Sequence, residues 1–254
     1  DVAIDGRMRK IVMQPTKQGW LYVFDRVTGE PIWPIEERKV EQSDVPMEKS
    51  WPTQRFVTKP PGFERQGVTI EDLIDYTPEL RAQAVKLVSQ FKIGPIFTPP
   101  VVSKWPGPLA TLMLPDVTGG ANWPGGSYDP ETGTFYIFTN TNIAAVGLIP
   151  GADRPQKPSD MNYVRGQAVG PANPKAPALP TTVQGLPLVK PPYGRISAID
   201  LHKGELLWQV AHGETPDNIR NHPALKGVTI PRTGRQGRIG TLVTKSLLIA
   251  GEGG

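Results

Sequence analysis

Cysteine is absent from this 254-residue sequence, which excludes a disulfide framework, a thiolate nucleophile and a zinc ribbon but leaves an oxidising location open. No run approaches the roughly 18 apolar residues of a membrane-spanning helix, and residues 1 to 20 show neither the basic-then-apolar order of a signal peptide nor an initiating Met. An excess of one charge is also missing. The 28 Lys and Arg face 24 Asp and Glu, a formal net charge of +4, too small for a nucleic-acid footprint. Histidine is scarce: His202, His212 and His222 lie ten apart, never paired on one strand or helix, so they read as loop residues rather than metal ligands.

What the chain has in quantity is 27 Gly and 29 Pro, more than a fifth of its length, against a hydrophobic fraction of 38 %. That composition excludes a helix bundle or coiled coil and predicts a turn-rich, all-β globular fold. The chain starts without Met, and a strand pattern at Ser246 to Ala250 runs into a Gly-rich turn. Residues 1–254 are therefore expected to be an internal piece of a longer protein, belonging to a single domain.

Internal repetition is the strongest organisational signal. Residues 19–33, GWLYVFDRVTGEPIW, and residues 194–208, GRISAIDLHKGELLW, share Gly, five residues, Asp, three residues, Gly, three residues, Trp. Asp25 or Asp200 can accept backbone N–H bonds across a tight turn while Gly29 or Gly204 takes a left-handed conformation, which predicts a β-hairpin closed by Trp33 or Trp208. A third turn of this type runs from Asp129 to Gly133. Such repetition, with the two indoles docked between neighbouring sheets, predicts a partial, unclosed β-propeller better than a β-helix or a sandwich.

Two insertions interrupt the array. Residues 69–91 predict a helix capped by Thr77, with Pro78 in its first turn and Leu80, Ala84, Leu87, Val88 and Phe91 on one packing face. Residues 150–192 hold ten Pro, among them Pro155, Pro158, Pro174, Pro177 and Pro180, and are expected to form a long loop without regular structure.

Three stretches then carry a resemblance: MQPTKQGWLYVFDRVTGEPIWPIEERKV (13–40), GGANWPGGSYDPETGTFY (119–136) and IRNHPALKGVTIPRTGRQGRIGTLVTKSLLIAGEGG (219–254). Together they resemble the quinoprotein dehydrogenases that use pyrroloquinoline quinone (PQQ), in particular the membrane-associated glucose dehydrogenase branch. The resemblance implies an eight-bladed propeller, PQQ in a central funnel with calcium beside it, and oxidation of an aldose sugar or alcohol. It further implies electron transfer to ubiquinone or a cytochrome and a periplasmic location, with membrane attachment through segments outside this chain.

By the same resemblance Lys17 faces the quinone oxygens, where a fixed ammonium would stabilise the negative charge that reduction builds. Asn122 and Trp123 fall at a cofactor-contacting loop, and Arg238 and Gly240 fall where the chain returns to the site. The general-base Asp and the calcium ligands are expected upstream of residue 1, so residues 1–254 by themselves are expected to be inactive. Gly119, Gly120, Gly125 and Gly126 do not form a phosphate loop, since no helix with Lys and Ser or Thr follows them. A second function class shares the repeat, a non-enzymatic propeller scaffold of the outer-membrane assembly type; Lys17 and Asn122 are the residues that a scaffold has no reason to keep.

Overall fold

The computed structural model describes residues 1–121, 123–154, 158–170 and 181–252. Its first strands, Val2–Ile4 (β1) and Arg7–Arg9 (β2), pair antiparallel across Asp5 and Gly6, and Val2 and Ile4 turn inward. Ile11–Pro15 (β3) pairs antiparallel with Leu21–Asp25 (β4), whose Leu21 and Val23 are buried while Tyr22 and Phe24 stack on the other face. The connection Thr16 to Trp20 carries Lys17 and is closed by the Gly19 N–H donating to the Thr16 carbonyl at 3.0 Å. Ile35–Lys39 (β5) and Thr53–Val57 (β6) then form a separate hairpin.

The helix appears where the pattern puts it, at Pro78–Val88 (α1), with the Thr77 hydroxyl accepting from the Leu80 N–H at 3.2 Å. Leu80, Ala84 and Val88 are buried along one stripe. Each fully buried Leu or Val there contributes about 1.5–3 kcal/mol. Val101–Val102 (β7) and Thr111–Met113 (β8) follow as short strands.

Gly126–Asp129 (β9) and Thr134–Asn140 (β10) are a hairpin on the Asp129 turn. Ala144–Pro150 (β11) pairs with β8 and with Tyr163–Arg165 (β12), both antiparallel, and in a two-residue parallel contact with β7. Thr182–Val183 (β13) and Leu186–Pro187 (β14) form a small hairpin. Gly194–Asp200 (β15) and Glu205–Ala211 (β16) make the hairpin of the Asp200 turn, joining β9 and β10 in one antiparallel four-stranded sheet of order β16-β15-β10-β9. A one-turn helix at Asp217–Arg220 (α2) precedes the closing pair Thr241–Val243 (β17) and Leu248–Ala250 (β18).

All three Asp-to-Gly turns form as the spacing predicts. Asp25 accepts from the Val27 N–H at 2.8 Å, Asp129 from Glu131 at 2.9 Å and Asp200 from His202 at 2.7 Å, and Gly29, Gly133 and Gly204 all have positive φ. Their arrangement differs from three equivalent units. The Asp129 and Asp200 turns are successive corners of one sheet, whereas the chain after Asp25 returns only as an isolated bridge, Phe24 to Pro31, because Pro31 and Pro34 limit ladder donation.

Two expectations need correction. Trp33 is half-buried and packs with the sheet core, against the Gly204 turn. Trp208, by contrast, is 41 % exposed, since it stands on the edge strand β16 and Tyr136 is its ring neighbour among the described residues. The Pro-rich stretch is not wholly irregular either: β12 and the β13–β14 hairpin form inside it where non-Pro residues can donate to a ladder. Pro155, Pro174, Pro177 and Pro180 lie outside the described residues.

The interior holds a helix-side core, with Leu73, Ile74, Leu80, Leu112, Leu114, Leu186 and Leu188, a sheet core, with Leu21, Val23, Phe63, Ala121, Phe135, Ile137 and Ile199, and a small third cluster of Phe138, Ile196 and Ile239. Leu114 belongs to the first and Ala121 to the second, so residues 115–120 bridge the two. Among the described residues no helix is long and apolar enough to cross a membrane.

Candidate functional site

That bridging loop is built by one carboxylate. Asp116 Oδ1 accepts from the Thr118 N–H at 2.9 Å, the Thr118 hydroxyl at 2.6 Å and the Gly119 N–H at 3.1 Å, and its Oδ2 accepts from the Asn142 side-chain amide at 2.7 Å. The turn delivers Gly119 against Lys17: a Cβ added at Gly119 would stand 2.6 Å from Lys17 Cγ and 2.8 Å from its Cα. Gly120 donates its N–H to the Lys17 carbonyl at 3.0 Å, and the Gly120 carbonyl accepts from the Asn140 N–H at 2.8 Å. Residues a hundred positions apart are thereby packed backbone on backbone.

Asn140 extends the chain of contacts. Its side-chain amide donates to the Gly237 carbonyl and its Oδ1 accepts from the Gly237 N–H, a two-way clamp that brings the GRIG segment to the same loop. Gly119, Gly120, Asn140, Gly237 and Arg238 line a small pocket on one side of the loop. On the other side Gln14 to Lys17, Ala121, Trp123 and Gly125 line an open groove of about 400 Å³.

Lys17 is exposed, and its Nζ donates to the Val117 carbonyl at 3.3 Å; it makes no ion pair among the described residues. Trp123 is 90 % exposed at the groove, and Arg238 is exposed on the opposite side of the loop. Gly240 is exposed, and an added Cβ there would meet nothing within 4 Å, so close approach does not account for it. Asn122 lies outside the described residues. The three histidines have separate backbone partners: His202 on Ala3, His212 on Gly251 and His222 on Gln184.

Behind the groove lies an ion pair that sequence reasoning missed. Glu64, with its side chain fully buried, meets Arg195 of β15 at 2.7 Å, and the same Oε1 accepts from the Thr141 hydroxyl at 2.8 Å and the Arg65 N–H at 2.9 Å. Burial foremost, with Arg195 adding to it and Glu64 opposing it, lowers the pKa of the adjacent Arg65 guanidinium from its usual value. Asp116 had a visible signal in its Asp-Val-Thr-Gly-Gly turn; Glu64 and Arg195, 131 positions apart, had none.

Among the described residues, antiparallel strands joined by Asp-to-Gly turns, with few helices and no closed barrel, are those of a β-propeller segment of the quinoprotein type. The family model for the PQQ-dependent glucose/ethanol/alcohol dehydrogenase β-propeller domain matches residues 1–253, and the chain belongs to this family. It is 29 % identical over 223 residues to the probable quinate dehydrogenase (quinone) of Xanthomonas campestris pv. juglandis, covering 84 % of this chain and 27 % of that protein. It is 30 % identical over 224 residues to the glycerol dehydrogenase large subunit of Gluconobacter thailandicus, covering 81 % of this chain and 29 % of the relative. The quinoprotein glucose dehydrogenase of Escherichia coli (strain K12) is 27 % identical over 236 residues, covering 86 % and 28 %. The chain thus spans between a quarter and three-tenths of the length of these relatives.

PQQ is a flat, aromatic ortho-quinone bearing carboxylates, and the groove fits one wall of a site for it. Lys17 offers an ammonium without a carboxylate partner among the described residues, Trp123 an uncovered indole, and Arg238 a second cation beyond the glycines. Among the described residues no group of three or more His, Asp or Glu could hold a metal ion.

Proposed function

We propose that the groove between the Lys17 turn and Ala121, Trp123 and Gly125 is one wall of the PQQ site of a dehydrogenase oxidising CH–OH donors. The observation that carries this reading is the packing of the Lys17 backbone on Gly119 and Gly120, which brings Lys17 and Trp123 to the lining of one groove. When bound, PQQ supplies the ortho-quinone that accepts the electrons of the donor. Lys17 then holds positive charge where reduction builds negative charge, a stabilisation stronger in the transition state than in the ground state. Trp123 offers an apolar face that excludes water from that charge, and Arg238 is available to a carboxylate.

The donor we favour is a polyhydroxylated one, an aldose, a polyol or a hydroxylated ring acid, since the relatives above are named for glucose, glycerol and quinate. A ubiquinone or cytochrome acceptor and a periplasmic location belong to the same reading. The test is PQQ-dependent dye reduction, with glucose, glycerol, quinate and ethanol as donors, by the longer protein that carries residues 1–254 together with the general base expected upstream. Lys17→Ala should lower turnover by about two to three powers of ten, with Lys17→Arg retaining more. Absence of PQQ-dependent turnover with every donor, or an unchanged rate in Lys17→Ala, would overturn the proposal.

A further inference from the structure

Glu64 and Arg195 do not line the groove, yet Glu64 packs against both loops that carry its walls. A Cβ added at Gly19 would stand 2.7 Å from Glu64 Cβ, and one added at Gly120 would stand 2.8 Å from Glu64 Cγ. The Glu64 stem is thus sandwiched between the end of the Lys17 turn and the glycine loop. From the neighbouring residue, the Phe63 N–H donates to the Gly19 carbonyl at 2.9 Å. On the far side Arg195 Nη2 donates to both Glu64 Oε1 and the Thr141 hydroxyl, tying the carboxylate to the end of the four-stranded sheet.

The pair is poorly built for stability alone. A single carboxylate oxygen takes all the hydrogen bonds, while Glu64 Oε2 and Arg195 Nε are buried with no partner among the described residues. Desolvation of such a pair consumes much of its Coulombic gain, and an apolar pair of equal volume often serves stability as well. What an apolar pair would not supply is a directional link among Arg65, Thr141 and Arg195 through one carboxylate oxygen, carried on a stem packed between Gly19 and Gly120.

We infer that Glu64 is a positioning residue: anchored by Arg195 and Thr141, it sets the spacing between the Lys17 turn and the 119–120 loop, and so the width of the groove. The inference rests on reading that groove as the cofactor wall, and its test separates the two. The Gly120 N–H bond to the Lys17 carbonyl reports the spacing directly. In Glu64→Gln, which keeps the stem and removes the charge, hydrogen exchange at Gly120 and Gly19 should accelerate roughly ten- to a hundredfold while α1 amides stay unchanged. Thr141→Val, a milder change of similar shape, should give the same pattern at smaller size and serves if Glu64→Gln does not fold.

PQQ affinity, titrated by fluorescence without any donor, should weaken about tenfold or more in Glu64→Gln, in keeping with one lost charge-assisted hydrogen bond. Leu80→Ala, a truncation in the helix-side core, should lower the melting temperature yet leave Gly120 exchange and PQQ affinity as they are. Unchanged Gly120 exchange in both Glu64→Gln and Thr141→Val overturns the inference, as does an equal effect of Leu80→Ala. Faster exchange with unaltered PQQ affinity supports the clamp and refutes the assignment of the groove to the cofactor.

Discussion

Gly119 and Gly185 allow a steric contact to be separated from backbone strain. Both have positive φ, +93° and +89°, but a Cβ at Gly185 would meet nothing within 4 Å, whereas one at Gly119 would press on Lys17 Cγ, Cβ and Cα at 2.6, 2.7 and 2.8 Å. Alanine at either position bears the left-handed penalty of about 1–2 kcal/mol, less about 0.4–1 kcal/mol regained by stiffening the unfolded chain. At Gly119 the contact adds an overpacking cost of about 1–3 kcal/mol, and the Cα atom of Lys17 cannot rotate away as a side chain could. Urea denaturation at constant m should therefore place Gly119→Ala below Gly185→Ala by about 1–3 kcal/mol. Moving Lys17 should weaken PQQ binding in the first variant only. Equal stability losses would refute the packing of Lys17 on the glycine loop.

Thr77→Ala should cost about 0.5–2 kcal/mol in thermal unfolding by removing the α1 cap, with Thr77→Ser close to wild type. Phe63→Ala should cost about 3–5 kcal/mol, because Phe63 is fully enclosed in the sheet core. Hydrogen bonds, from the Thr132 hydroxyl first and the Glu131 N–H next, hold the Asp129 carboxyl below its ordinary pKa. Its contribution is then present above the unfolded value of about 3.9 and lost as pH falls through the lower folded value. An acid titration of Thr132→Ala followed by NMR should show Asp129 protonating at higher pH than in wild type.

Features legible in the sequence were those decided within a few residues. The Asp-to-Gly turns follow from one carboxylate and one left-handed glycine, and α1 follows from a cap, a first-turn Pro and an apolar stripe. The approach of Lys17 to Gly119 and Gly120 was legible only through the resemblance, because no local rule relates positions 17 and 120. Trp208 was misjudged because burial of a strand residue depends on which strand lies at the sheet edge. Arg195 sits in GRISAID, a strand buried on both faces that shows no alternation, and Glu64 stands in a charged stretch that gives no sign of burial. Their pairing exists only once β15 and residues 63–66 meet in three dimensions.

The central claim, that Lys17 and the glycine loop form a wall for PQQ, is tested most directly by binding in the absence of donor and acceptor. PQQ titrated into the protein should quench indole fluorescence, and the quench should shrink in Trp123→Phe. The dissociation constant should rise about tenfold or more in Lys17→Ala, the scale of one lost hydrogen bond to a charged group. Lys39→Ala, in an exposed hairpin strand, should bind as wild type does. Equal PQQ affinity in Lys17→Ala and wild type would contradict the account.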